Sequence, residues 1–319
     1  MSTIELVQPH HRSTSMPHVL KRVGVKYVDA FTETPLTGNP AGVVPHAEGL
    51  TDKQMHLIAR EVSASETAFI LPSTTASADL RIRWFTPQTE VPLCGHATIA
   101  AFHVLAEEGL YGMKEPGTYE FKLETQSGIL PVTVVKQLRG IDVLFGLNVP
   151  EFERAGQSKL DVMRILNITL DEFENRLPIL RSDYLFVPIR RLHTIFSLKP
   201  NFFAMSRFLD NRRLQGMCVF TTETIDQHSS IHSRFFAPTI GITEDPVTGA
   251  ANGPLGVYLY QHDEVKATGD SVTITGEQGD VIGRKGRVTI RMGVRGKQVT
   301  DLKIGGRAVT VLTAEMRLP

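Results

Sequence analysis

One passage of this chain occurs twice. Arg83-Trp-Phe-Thr-Pro-Gln-Thr-Glu-Val-Pro-Leu-Cys-Gly-His-Ala-Thr98 returns, altered, as Ser233-Arg-Phe-Phe-Ala-Pro-Thr-Ile-Gly-Ile-Thr-Glu-Asp-Pro-Val-Thr-Gly-Ala-Ala251. Each copy runs a strand into Phe-x-Pro, then a polar loop, then a glycine and small residues that open a helix. A duplication this particular restricts the fold to two similar halves, with the matching helix starts turned toward a common cleft. Such a cleft is the ordinary place for a small-molecule site. A second echo agrees: Leu123-Glu-Thr-Gln-Ser-Gly-Ile-Leu130 reads as a hairpin, and Val272-Thr-Ile-Thr-Gly-Glu-Gln-Gly-Asp-Val-Ile282 as its counterpart.

The stretches between the echoes fill in two lobes. Residues 1–22, rich in His, Ser and Pro, read as a loose tail. Lobe 1 spans 23–148. It opens on a strand at 25–31 and a turn cluster at 34–40, after which Thr51 caps an amphipathic helix over 51–63 with Met55, Ile58, Ala59 and Val62 on one face. Strands follow at 67–71 and 80–85. The helix over 97–106 is apolar almost all round, a pattern that requires burial on every side, and Gly109 stops it. Strands at 119–125, 129–135 and 143–147 complete the lobe. Lobe 2, residues 149–302, starts with a charged helix over 160–176, continues through strands at 184–187 and 216–220, and carries its own apolar helix over 251–260. The last segment, 303–319, holds the strand Ala308-Val-Thr-Val-Leu312, which crosses back to lobe 1. The fold class is therefore mixed α/β (α+β): two pseudo-symmetric lobes, each a curled mixed β-sheet around a central helix.

Charge excludes several partners. Lys plus Arg and Asp plus Glu each total 34, a formal net charge of zero, so no basic excess is present to neutralise phosphates or lipid headgroups. Nucleic acid and membrane surfaces are not expected partners. No apolar run approaches the roughly 18–20 residues that span a bilayer, and the first 22 residues lack the apolar core of a signal peptide. Cys94 and Cys218 are too few for a disulfide framework, and no Cys-x-x-Cys or His-x-His pair marks a metal site. The expectation is a cytoplasmic protein with no cofactor and no metal.

The two helix starts carry the first chemical argument. The opening N–H groups of a helix have no intrahelical partner and together carry about half a positive charge, which suits an anion such as a substrate carboxylate. Gly95 and Gly249 would let that anion approach the backbone, although a glycine chosen for tight packing explains each equally simply. Cys94 precedes the first helix, where a thiolate gains stability and the thiol pKa falls; a core-filling cysteine is the plainer alternative. His96 sits in the first turn, placed to accept or relay a proton, or to serve as a satisfied buried histidine. Asp245 offers a carboxylate near the second helix start, with turn formation as its alternative.

Together the motifs resemble one family. Asp29-Ala-Phe31, Gly38-Asn-Pro-Ala-Gly-Val-Val44, Ser65-Glu-Thr-Ala-Phe69, Arg83-Trp-Phe-Thr-Pro87, Leu93-Cys-Gly-His-Ala-Thr98, and Phe236-Ala-Pro with Gly241-Ile-Thr-Glu-Asp-Pro-Val-Thr-Gly249 are similar to those of the PhzF-like (phenazine biosynthesis protein F) family, in order, over about residues 25–312. The resemblance implies a diaminopimelate epimerase-like fold, a homodimer, no cofactor, and isomerisation of a small carboxylate. The family's named enzyme isomerises trans-2,3-dihydro-3-hydroxyanthranilate with a glutamate as acid/base. The Ser-Glu-Thr motif carries that role to Glu66. Flanked by Ala68, Phe69 and Ile70, this carboxylate would be partly desolvated, the condition under which one group can both take and return a proton. His96 and Asp245 match the family's substrate-holding and relay residues, Asn39 falls at the cleft edge, with a turn asparagine as the plainer alternative, and Cys94, Gly95, Thr248, Gly249 and Ala250 fall among the substrate-binding positions. Ala250 departs from the pattern, because many relatives have serine there.

Two other readings stay open on the residues. Two-cysteine racemisation, as in epimerases of this fold, needs a second thiol where this chain has Thr248, whose hydroxyl is too weak an acid to replace it. A one-base epimerase or dehydratase using Cys94 remains, as does a metabolite-binding or interaction protein without turnover. Glu66, His96 and Asp245 together favour catalysis, since titratable clusters of this kind collect at active sites.

Overall fold

A computed structural model of the chain describes residues 21–155 and 159–318. The first half runs β1 (Lys21–Ala30), β2 (Asn39–Val44), α1 (Asp52–Val62), β3 (Thr67–Leu71), β4 (Leu80–Phe85), β5 (Glu90–Val91), α2 (Gly95–Glu107), β6 (Gly117–Thr125), β7 (Gly128–Lys136) and β8 (Ile141–Leu147). The second runs β9 (Glu153–Arg154), α3 (Lys159–Leu166), β10 (Leu180–Arg181), β11 (Tyr184–Pro188), α4 (Leu192–Ser197), α5 (Phe202–Asp210), β12 (Gly216–Thr221), β13 (Ile231–Ala237), β14 (Ile242–Asp245), α6 (Gly249–Gln261), β15 (Ser271–Gln278), β16 (Gly286–Arg295) and β17 (Gln298–Leu318).

The sequence echo is a repeated pairing order. In the first half β1 pairs β2 antiparallel, β2 pairs β3 parallel, β3 pairs β4 antiparallel, β4 takes β5 antiparallel and β6 parallel, and β6, β7 and β8 follow antiparallel. The second half repeats this from β10 to β17 without a change of sense. The long β17 serves both passes: Gln298–Gly305 pairs β16, Leu302–Arg307 pairs β8, and Ala308 onward pairs β1. Its pairing with β1 and β8 closes the first pass into an unbroken ring of strands. Gly305 allows the β8–β17 crossing, since a Cβ there would lie 2.1 Å from the Val143 carbonyl oxygen and 2.8 Å from the Leu144 Cα.

Local sequence explains the layers. β4 alternates, with Leu80, Ile82 and Trp84 buried and Arg81 and Arg83 on the other, partly exposed face. α2 lies inside the ring, and every residue from Ala97 to Ala106 is buried, as its all-round apolar character demands. α6 is the counterpart, buried from Ala251 to Tyr260. α1 packs only Met55, Ile58 and Ala59 inward, and its Thr51 cap forms a capping box with Gln54. Among the described residues no helix is long and apolar enough to cross a membrane.

The duplicated arginines explain themselves in the same terms. Arg83 binds Glu90 through two parallel bonds of 2.7 Å across β4–β5, and Arg234 binds Glu244 through bonds of 2.8 and 2.7 Å across β13–β14. Each guanidinium also faces the ring two residues on, 5.1 Å from Phe85 and 5.0 Å from Phe236. Both passes thus clamp the strand to the loop that leads into the buried helix.

Several expectations need correction. Most of the expected tail, residues 1–20, lies outside the described residues, and its last two residues, Lys21 and Arg22, already belong to β1. The helix expected over 160–176 stops at Leu166, because Asn167 takes a left-handed backbone (φ 56°) and Thr169 caps a separate short turn, Leu170–Glu172. The hairpin expected over 272–282 turns later: Gly279 (φ 87°) and Gly283 (φ 71°) frame the turn, and the return strand starts at Gly286. Helices α4 and α5, between β11 and β12, were not anticipated; they take the place that α1 holds in the first pass.

Candidate active site

The two clamped loops deliver their residues to one place. Cys94 is the N-cap of α2 and Thr248 the N-cap of α6. Unlike Thr51, neither spends an oxygen on its helix: Cys94 offers only a weak sulfur acceptor, and the Thr248 hydroxyl donates to Asp245 Oδ2 at 2.5 Å. Gly249 lets α6 start against the opposite wall, since a Cβ there would lie 2.4 Å from Ile304 Cδ1 and 3.0 Å from Phe31 Cζ.

Glu66 ends the segment before β3 and faces α2. Its Oε2 lies 3.4 Å from His96 Nε2, and the two side chains are 17% and 11% exposed, accessible to a ligand without being fully solvated. The other side of the imidazole meets Cys94, with Nδ1 3.4 Å from Sγ. Ser65, unremarked beyond its place in the motif, has its hydroxyl 3.1 Å from His96 Nε2. Six of the nine expected residues are therefore linked by contact in two groups: Glu66, Cys94 and His96 from the first pass, and Asp245, Thr248 and Asn39 around the second helix start.

Asn39 does more than sit at a cleft edge. It is buried on β2, and its amide donates to Asp245 Oδ1 and to the Val247 carbonyl, both at 2.9 Å, bridging the two passes. Asp29 of the Asp-Ala-Phe motif supports it indirectly: this buried carboxylate accepts from Arg284 at 2.6 Å and from the Leu36 N–H at 2.7 Å, fixing the turn that precedes Asn39. Gln278 was missed altogether. Its amide nitrogen donates to the Asp245 carbonyl and the Thr248 hydroxyl, while its oxygen accepts from Thr248 N–H and Asn252. A glutamine at the end of a strand has no local signature of such a role.

Electrostatics separate the groups. Burial pushes the Asp245 carboxyl up from its ordinary value, against the pull of His96 and of its Thr248 and Asn39 donors, with the Glu66 charge adding to the rise. A carboxyl raised by folding adds stability that is complete below its unfolded pKa, about 3.9, and that is lost as pH rises through the folded value. Asp245→Asn removes this dependence. Its melting temperature relative to wild type should rise as the pH is taken from acidic to neutral, and a constant difference across that window would contradict the assignment.

Cys94 fits the plainer of its two readings, the core-filling one. Burial, then the neighbouring Glu66 charge, hold its thiol well above the ordinary value, outweighing the Ala97 N–H that points at the sulfur. The helix-start argument for a thiolate omits desolvation, which dominates for a residue only 8% exposed. Cys218 is buried on β12 and also pushed up by burial. Iodoacetamide should label neither cysteine of the folded chain and both after unfolding, read by intact mass; rapid native labelling of Cys94 would restore the thiolate.

Beside the start of α6 opens a cavity of about 500 Å³, lined by Leu147, Asn148, Tyr184, Ala250 and Pro254 among others. Ala250 lines it and offers a ligand no hydroxyl. Tyr184, its phenol pushed up to about 12 by burial and by the Asp183 and Asp245 charges, stays a neutral hydrogen-bond donor on the same wall. Among the described residues, Glu66, Cys94 and His96 are the one His/Cys/Asp/Glu group compact enough to hold a metal ion. A search for linear ligand spacings cannot see it, since the ligands converge from two segments.

Comparison with known proteins gives one answer. The family model described as PhzC-PhzF, phenazine biosynthesis-like protein, matches residues 28–314. An uncharacterized isomerase of Clostridium acetobutylicum is 37% identical over 306 residues, covering 94% of this chain and 100% of the relative. The trans-2,3-dihydro-3-hydroxyanthranilate isomerase of Pseudomonas chlororaphis is 30% identical over 287 residues, covering 89% of this chain and 95% of the relative. Among solved structures, a phenazine biosynthesis protein of the PhzF family from Bacillus anthracis superposes with a TM-score of 0.83 at 32% identity, covering 93% of this chain and 99% of that one.

Proposed function

The chain belongs to the PhzC-PhzF family of phenazine biosynthesis-like proteins, and from that premise we propose that it is an isomerase moving a proton between carbons of a small carboxylate without redox change. The observation that carries this reading is the pairing of Glu66 with His96 at 3.4 Å, both partly accessible, beside two helix starts whose N–H groups suit an anion. Glu66 takes a proton from a saturated carbon attached to the substrate's unsaturated, carboxylate-bearing system, and the C–H electron pair enters that conjugated system. The N–H groups at Gly95 and Gly249 oppose the charge that builds on the carboxylate. Glu66 then returns the proton to a second carbon, leaving the double bond shifted.

His96 steadies the Glu66 carboxylate through Nε2, and Ser65 holds the ring. Asp245, at the end of β14 and kept in place by Asn39 and Thr248, faces the substrate from beside the other helix start. A one-base epimerase using Cys94 is less favoured, since a buried thiol held well above its ordinary value is a poor base at neutral pH.

The test is proton NMR in D2O with trans-2,3-dihydro-3-hydroxyanthranilate and a panel of cyclic and amino carboxylates. Enzyme-dependent loss of one carbon-bound proton signal in at least one compound is expected. Compounds that bind, by melting-temperature shift, yet none of which exchange or convert would instead support a binding module.

A further inference from the structure

We propose that Glu66, Cys94 and His96 form a site for one soft or borderline divalent cation of the zinc class, with the fourth position open to the cleft. The cysteine–histidine half of the site already has the required spacing. On a tetrahedral zinc with a thiolate at about 2.3 Å and an imidazole at about 2.0–2.1 Å, the sulfur and nitrogen stand about 3.5 Å apart. Here Cys94 Sγ and His96 Nδ1 are separated by 3.4 Å, while Glu66 Oε2 meets the opposite ring nitrogen, Nε2, at 3.4 Å, so an ion held between sulfur and Nδ1 requires the Glu66 carboxylate to swing to the cysteine side of the ring. The three donor atoms lie within 4.8 Å of one another, against the roughly 3.3–3.6 Å between ligands on a tetrahedral zinc, so closing around an ion takes a contraction of up to about 1.5 Å.

The donor set selects the ion. One sulfur, one imidazole nitrogen and one carboxylate oxygen suit zinc, cadmium or cobalt(II) over magnesium or calcium, which take oxygen shells. Three protein ligands and an open fourth position match the layout of exchangeable zinc sites, where water or a ligand carboxylate completes the shell. Binding replaces the thiol proton by the metal: the Cys94 S–H bond breaks, a sulfur–metal bond forms from the sulfur lone pair, and the proton leaves to solvent. No oxidant or reductant is needed. The Asp245 charge close by adds attraction for the cation; Asp245 is near enough to Cys94 to influence its thiol.

One consequence rests on the isomerase reading: a metal on Glu66 occupies the carboxylate that must carry the proton, so the metal-bound and proton-transferring states exclude each other. Binding itself can be read without substrate, so it holds or fails independently of that reading. The experiment is cobalt(II) titration of the full-length protein, followed by absorption. One equivalent should bind, with a near-ultraviolet thiolate-to-cobalt charge-transfer band and the visible absorption of four-coordinate cobalt, and zinc should displace it. Cys94→Ser should abolish the band and weaken zinc binding by more than the roughly 10- to 100-fold typical of losing an outer-shell partner. Cys218→Ser should leave both unchanged. No bound cobalt, or a band that survives in Cys94→Ser, would overturn the site. A folded Cys94→Ser, checked by its melting temperature, keeps its loss of the band interpretable.

Discussion

Glu66→Gln should lower turnover by about 100- to 10,000-fold, the contribution expected of a positioned general acid/base, while leaving the melting temperature and carboxylate binding near wild type. The substitution is isosteric, and the amide can still meet His96, whose Nε2 lies 3.4 Å from the present carboxylate oxygen. What it removes is the capacity to hold a proton. Carboxylate binding rests on the helix starts at Gly95 and Gly249, so it should persist, and the loss should fall on kcat rather than on KM. The comparison is steady-state kinetics of both proteins with the best compound from the carboxylate panel. A loss below about tenfold, with the fold intact, would be too small for a general acid/base and would remove Glu66 from the chemistry.

The second large effect concerns the clamp beside the second helix start. Arg234→Met should destabilise the chain by about 3–5 kcal/mol, because it leaves Glu244 charged and unpaired where little water reaches it. The two side chains are only 7% and 11% exposed, and the guanidinium also donates to the Ile195 and Leu198 carbonyls. Arg83→Met is the internal control. Its pair with Glu90 repeats the geometry at 14% and 20% exposure, and there water can reach the abandoned carboxylate. About 1–2 kcal/mol is expected there. Urea unfolding of the two variants gives the comparison, and a double variant Arg234→Met, Glu244→Leu should recover much of the loss. Equal midpoints for Arg234→Met and Arg83→Met would contradict the burial argument.

The duplicated passage was enough to anticipate the repeated strand–loop–helix order and the burial of α2 and α6, because an all-round apolar helix has nowhere else to go. Period-based reading failed where a single backbone position decides. Asn167 ends α3 by adopting a left-handed conformation, which no apolar spacing reveals, and Gly279 delays the second hairpin turn to 279–285. For the candidate site, the motifs pointed to Glu66, His96 and Asp245, but not to what holds them. Asn39 and Gln278 act across 30 or more residues of chain or between the two passes, so their roles exist only once the strands are paired. For Cys94 the thiolate reading gives way to the core-filling alternative for a related reason. The helix start was legible in Leu93-Cys-Gly-His, whereas the burial that outweighs it comes from residues far away in sequence.

The central claim is that a single carboxylate, Glu66, carries a proton at carbon. It is tested most directly by mass spectrometry of product formed in D2O by wild type, Glu66→Gln and Cys94→Ser. One non-exchangeable deuteron per product molecule from wild type and from Cys94→Ser, with none from Glu66→Gln, is the predicted result. A deuteron incorporated by Glu66→Gln and lost in Cys94→Ser would contradict it and move the base to the thiol.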